Sequence, residues 1–151
     1  EPGSITRQPG HLIDFLATFM EISGAEYPQK VGDRIIDPIE GKSLIPIFQG
    51  KERDGHENLY FHFGTDRALR QGKWKLVSAK GGKWELYDLE KDRTELNDLA
   101  EKHPGRVEKM SKIWFDIAKN KERLGKKGLA PVKDSLKSLS FRNDTSGQLN
   151  D

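Results

Sequence analysis

The sequence predicts an α+β fold: a small four-stranded antiparallel sheet packed by a C-terminal helix, with one further helix ahead of it. Three observations carry this. Between Asn58 and Asp88 apolar and polar residues alternate with a period of two, as strands in a sheet require. The links between these runs are short and carry glycine, which allows only antiparallel neighbours, because a parallel crossover needs about a dozen residues or more. Over residues 11–23, and again after Pro104, apolar residues recur every three to four positions, the spacing of a helix face.

In the first helix Leu12, Phe15, Leu16, Phe19 and Ile22 form one stripe, widened by Ile13 and Met20. Asp14 suits the positive end of the helix and Gly24 its C-terminal stop. So broad a stripe at the start of a chain needs something large to pack on. Residues 25–56 are rich in Pro and Gly and hold one apolar patch, Leu44-Ile45-Pro46-Ile47-Phe48, so they read as a surface connector with one helical turn at Lys42–Gln49. Four strands follow: Leu59–Phe63 with its alternating Tyr60 and His62, a run through Ala68–Arg70, Lys73–Val77, and Trp84–Tyr87. Gly72 turns the second strand into the third, and Gly81-Gly82 is a hairpin signal with positive φ open to both residues. In the polar run Asp88–Leu99, carboxylates are expected to accept backbone N–H bonds. Pro104 then opens a second helix whose stripe is Val107, Met110, Ile113, Trp114 and Ile117. Beyond Lys119 the periodicity is lost, and the tail is expected to be loosely ordered.

Composition limits the chemistry. The 151 residues include no cysteine, so disulfides, thiol nucleophiles and cysteine-ligated zinc are excluded. Only 34% of residues are hydrophobic and the mean hydropathy is −0.78, which fits a small core and no membrane span. The first six residues have neither the basic start nor the apolar run of a signal peptide, so the chain is expected to be processed or cut from something longer. The pI of 8.8 invites a nucleic-acid reading. Yet residues 119–151 hold eight Lys/Arg and four Asp/Glu, leaving 18 basic and 20 acidic residues before them. The basic character belongs to the tail. Trp74, Trp84 and Trp114 are expected in the core, and their face is the one the C-terminal helix covers, so bases have no surface to stack on.

Other candidates fail on spacing. Asp88-Leu89-Glu90-Lys91-Asp92 has the acid pattern of a calcium loop, but Arg93 and Leu99 occupy the positions that require Gly and a bidentate Glu. His11, His56, His62 and His103 form no His-x₃₋₅-His pair, and no serine lies in a Gly-x-Ser-x-Gly elbow. His62 stands out. It lies on the strand face opposite Leu59, Phe61 and Phe63 and just before Gly64-Thr65-Asp66-Arg67, a strand end where a polar ligand can be met. Arg67 and Arg70, three apart in a strand, point to opposite faces.

Taken in order, Gly10-His11-Leu12-Ile13-Asp14 with Thr18, Gly24-Ala25-Glu26-Tyr27-Pro28, Gly41-Lys42-Ser43-Leu44, the run His62–Leu76, Trp84-Glu85-Leu86-Tyr87-Asp88-Leu89 and Asp92–Ala100 resemble the C-terminal third of the type I sulfatases, the arylsulfatase family. The resemblance covers about residues 1–120. It implies that residues 1–24 end a large α/β domain built like alkaline phosphatase and absent from this sequence, that 25–56 connect, that 57–120 form the C-terminal subdomain, and that 121–151 are a basic tail. It implies a parent that hydrolyses sulfate esters, aryl sulfates or sulfated glycans, and is exported. The family's calcium and its formylglycine, made from a Cys/Ser-x-Pro-x-Arg motif, are expected in the absent N-terminal domain. That motif does not occur here, nor does a paired Asp-Asp for the metal. The chain is therefore expected to be inactive alone, with that N-terminal catalytic domain as its partner. By the same resemblance, His62, Asp66 and Arg67 contact the sulfated substrate on one wall of its cleft. Two alternatives stand beside this one: a polyanion-binding module using the basic tail, and the same fold in a phosphonate or phosphodiester hydrolase.

Overall fold

The computed structural model describes residues 3–121, and the tail expectation for 121–151 lies almost wholly outside them. Two helices, two sheets and two short helical turns make up the described chain: α1 (Asp14–Ser23), a hairpin of β1 (Lys30–Val31) and β2 (Arg34–Ile35), α2 (Ile45–Phe48), strands β3 (Leu59–Phe63), β4 (Asp66–Gln71), β5 (Trp74–Ser78) and β6 (Glu85–Asp88), a 3₁₀ turn at Ala79–Gly81 between the last two, and α3 (Pro104–Lys121). The four longer strands form one antiparallel sheet in the order β3-β4-β5-β6, as the short links require. Two compact units divide the residues: one holds the chain to Leu59 with Arg70–Trp74, the other Tyr60–Leu69 and the chain from Lys75.

In the first unit α1 is turned opposite to the usual amphipathic arrangement. Gly24 stops it in the left-handed conformation, as expected, at φ 66°. Its two buried residues, however, are polar: Asp14 and Thr18, one turn apart on the same side. The apolar stripe faces outward, with Phe19 and Ile22 each 64% exposed and Phe15 50%. The polar side is held by the connector. Thr18 Oγ1 donates to the Asp14 carbonyl at 2.7 Å and accepts the Leu44 N–H at 2.9 Å. Gly41 sits so close that a Cβ there would overlap the Ile13 carbonyl. The helical turn expected at Lys42–Gln49 contracts to Ile45–Phe48. The connector also contains an element the alternation did not reveal, the β1–β2 hairpin, which pairs Lys30 with Ile35 and Val31 with Arg34. Two residues per strand are too few for a period to register.

The second unit has the core. Leu69, Leu76, Leu86 and Met110 are fully enclosed, with Ala68, Tyr87, Trp114 and Ala118 also buried. Each large apolar side chain removed from water contributes about 1.5–3 kcal/mol. Of the expected α3 stripe Met110 and Trp114 are buried and Val107, Ile113 and Ile117 half-buried, while Ala118, outside that stripe, is buried too. Trp114 pins the helix to the sheet: its indole N–H donates to the Phe61 carbonyl at 3.1 Å, and its ring stacks on Tyr60 at 5.1 Å. The face of β3 that α3 covers is thus the Tyr60–His62 face. Phe61 is left partly exposed and Phe63 is 85% exposed. Alternation sorts residues onto two faces but does not say which one is covered. The β5–β6 link also departs from expectation. Its positive-φ pair is Lys80 (52°) and Gly81 (68°), one residue earlier than Gly81-Gly82.

Candidate functional site

His62, Asp66 and Arg67 flank the β3–β4 turn, where Gly64 takes a φ of 60°. His62 Nε2 lies 3.0 Å from the Gly64 carbonyl, so that nitrogen carries the proton and donates across the turn. Its ring meets Trp114 edge-on at 5.2 Å. Asp66 is exposed and accepts the Lys80 N–H at 2.6 Å, while the Gly81 N–H donates to the Thr65 carbonyl at 3.0 Å. These two bonds latch the 3₁₀ turn onto the β3–β4 turn. The Arg67 guanidinium lies over Trp114 and Phe115, 5.5 and 5.7 Å from the ring centres, within cation–π range. His62 and Arg67 therefore meet on one aromatic residue, Trp114, and Asp66 stands apart from them on the latch. Sequence reasoning placed Trp114 in the core, correctly, but not as the residue joining the two. A tryptophan stripe on α3 does not reveal which side chains of the sheet it will touch.

The 88–100 segment follows the expected pattern. Asp92 Oδ2 accepts the N–H groups of Leu96 at 2.8 Å and Asn97 at 2.7 Å, and Asp98 Oδ1 accepts those of Leu86 and Ala100. The N–H donors of Asn97 and Leu96 hold the Asp92 carboxyl below the ordinary carboxylate range. Lys75 Nζ reaches Glu95 Oε1 at 2.5 Å. Tyr87 donates to Glu85 at 2.7 Å, and burial first, then that hydrogen bond, push its phenol above the ordinary range.

In the first unit a second polar cluster forms around Asp14, which is fully buried. One carboxylate oxygen accepts the Lys42 N–H at 2.9 Å and lies 2.6 Å from His56 Nε2; the other accepts the His11 N–H at 2.9 Å and Arg53 Nη2 at 2.8 Å. Arg53 also donates to the carbonyls of Pro9 and Lys42, and its side chain is only 5% exposed. Burial alone pushes the Asp14 carboxyl up, but the Lys42 N–H, Arg53, the His11 N–H and His56 together outweigh it and hold the group well below the usual range. Asp14, read only as a partner for the helix dipole, is the hub of the connector. The signal was present: Asp14 and Thr18 are a polar pair at i, i+4 among residues 14–20, which are otherwise apolar.

Among the described residues no helix is long and apolar enough to cross a membrane. Comparison with known proteins places the chain. Residues 1–123 match the family model described as N-sulphoglucosamine sulphohydrolase, C-terminal. Arylsulfatase D of Homo sapiens is 37% identical over 73 residues, which is 48% of this chain and 11% of that protein. A Bacteroides thetaiotaomicron structure from work on the metabolism of multiple glycosaminoglycans aligns with a TM-score of 0.55 at 19% identity, covering 71% of this chain and 24% of the other. A protein solved with its substrate D-glucosamine-2-N,6-O-disulfate aligns with a TM-score of 0.51 at 21% identity, covering 70% and 23%. Sheet order, terminal helix and a family match over most of its length agree, and the chain belongs to the N-sulphoglucosamine sulphohydrolase C-terminal family.

Proposed function

We propose that the chain is the C-terminal part of an enzyme that hydrolyses sulfate esters of glycans or aryl alcohols, that it forms one wall of the substrate cleft, and that it is inactive in isolation. The observation that carries the reading is the family match over residues 1–123, in a chain that spans only 11% of its curated relative. On this reading residues 1–24 close the large N-terminal domain, 25–56 connect, and 57–120 are the subdomain. The exposed face of α1, from Phe15 to Ile22, supports it, because a stripe of that width is stable in water only when something covers it.

Calcium and formylglycine then belong to the N-terminal domain. The residues present here do not fit them: there is no cysteine, and among the described residues no three His, Asp or Glu side chains gather where a metal ion could be held. What this chain supplies is recognition. Arg67 offers the planar donor fork that matches a sulfate, with His62 on the same tryptophan and Asp66 across the turn on the latch. The glucosamine disulfate bound by one structural relative supports a sulfated sugar as the substrate class. Such substrates lie outside the cytoplasm, so the parent is exported.

The test is steady-state kinetics of the full-length enzyme with His62→Ala and Arg67→Ala, on a sulfated disaccharide, an aryl sulfate and the matching phosphate esters. A lower kcat/KM on the sulfated substrates is expected. Unchanged kcat/KM on every substrate withdraws the cleft wall, and faster turnover of the phosphate esters withdraws the sulfatase.

A further inference from the structure

Among the described residues no carboxylate pairs with Arg67; the groups against it are the faces of Trp114 and Phe115. A half-buried guanidinium of this kind keeps its five N–H donors and its full positive charge for an external anion. The rings beneath it are themselves fixed. Trp114 is 3% exposed, anchored through its N–H to the Phe61 carbonyl, stacked on Tyr60 and met edge-on by His62. Phe115 stands at 90° to Trp114, 5.1 Å away, and Trp84 closes on both at 6.0 and 6.3 Å. The guanidinium of a flexible side chain is thereby seated against two fixed rings before any ligand arrives.

We propose that Trp114 and Phe115 are positioning residues that hold the Arg67 guanidinium as a preorganised receptor for an anionic group of the substrate. This rests on the cleft-wall reading and adds to it a division of roles. Arg67 touches the anion; His62, whose Nε2 proton is directed to the Gly64 carbonyl, acts through the Trp114 ring. Preorganisation of this kind strengthens binding by removing the cost of ordering the arginine on contact.

The experiment is a kinetic double-mutant cycle in the full-length enzyme on a sulfated disaccharide. Arg67→Ala is expected to raise KM about 10- to 100-fold, the loss of charge-assisted hydrogen bonds. Phe115→Ala is expected to raise KM about 3- to 30-fold, the range of a desolvated cation–π contact, with kcat unchanged in enzyme that remains folded at the assay temperature. Phe115→Tyr restores the wild-type KM, and the double variant is no worse than Arg67→Ala alone. Trp114→Leu is expected to behave as Phe115→Ala does; because Trp114 is buried and that variant can fail to fold, the half-buried Phe115 carries the decision. If Arg67→Ala raises KM while Phe115→Ala does not, or if the two losses multiply, the positioning role falls and the cleft wall stands. If Arg67→Ala itself leaves KM unchanged, the receptor falls, and the cleft wall falls with it when His62→Ala is also without effect.

Discussion

Replacing Asp14 by Asn tests the connector hub with almost no change of shape. The carboxylate accepts four donors, two of them backbone N–H groups from opposite ends of the segment, His11 and Lys42. An amide keeps one acceptor oxygen and turns an N–H₂ toward donors on the other side, leaving the Arg53 charge buried without its counter-charge. Breaking a buried ion pair by removing one partner costs about 3–5 kcal/mol, against a total domain stability of about 5–15 kcal/mol. The loss is read where it occurs, by amide hydrogen exchange at His11 and Lys42, which should accelerate by roughly 10²–10³-fold or more. Acid adds a second signature. The Asp14 carboxyl lies well below its ordinary value of 3.8 in the folded chain, so the unfolded chain takes up the proton first. Its stabilisation is complete above that ordinary value and is lost as pH falls toward the depressed one. The Asn variant should lack that acid-dependent component. Exchange at both amides within about 1 kcal/mol of wild type would refute the hub, since a single ordinary hydrogen bond accounts for that much.

Four further outcomes are expected. Gly41→Ala should destabilise by about 3 kcal/mol in urea titration, because the new methyl meets the Ile13 carbonyl, a backbone group that cannot rotate aside; a midpoint shift near zero would show that the two segments separate freely. Glu85→Gln should bring the ultraviolet titration of Tyr87 down toward the ordinary phenol range, leaving burial and the charges of Asp98 and Glu95 to hold it above that range. In an NMR acid titration the Leu96 and Asn97 amides should shift together with one midpoint, below the ordinary value of 3.8, since both donate to Asp92 Oδ2. Phe15→Ser with Phe19→Ser should reduce binding of an apolar dye to the 151-residue chain with little change in its melting temperature, as both residues are at least half exposed.

What the sequence made legible, and what it did not, divides by the range of the interaction. Local preferences placed the strands, α3 with its proline at the first position, and the helix stop at Gly24, because each depends on a few neighbouring residues. The carboxylate turns at Asp92 and Asp98 were legible for the same reason. Three matters were not local. The positive-φ pair moved from Gly81-Gly82 to Lys80-Gly81 because the 3₁₀ turn is fastened to Asp66 and Thr65, 14 or more residues away. Which face of β3 would be covered depended on where α3 returned, and it returned over Tyr60 and His62 rather than Phe61 and Phe63. The candidate site differed in the same way: the motif gave Arg67, but the Trp114 ring its guanidinium lies over comes from a helix some 47 residues later.

The orientation of α1 follows from the same physics. A carboxylate can be removed from water only where several donors converge on it, and Arg53, His56 and two backbone N–H groups converge on Asp14 from one side. Once that side of the helix is committed to the connector, Leu12, Phe15, Leu16, Phe19 and Ile22 have no route inward, since a helix cannot present both faces to one partner. The hydrophobic effect would otherwise roll the helix over, at about 25 cal/mol per Å² of apolar surface gained. The buried hub opposes that rotation, because turning the helix parts Asp14 from Arg53, His56 and the Lys42 N–H at once and leaves the enclosed Arg53 charge without its partner. The connector therefore does more than link two elements. It holds an apolar face outward, in the orientation that a covering domain would require.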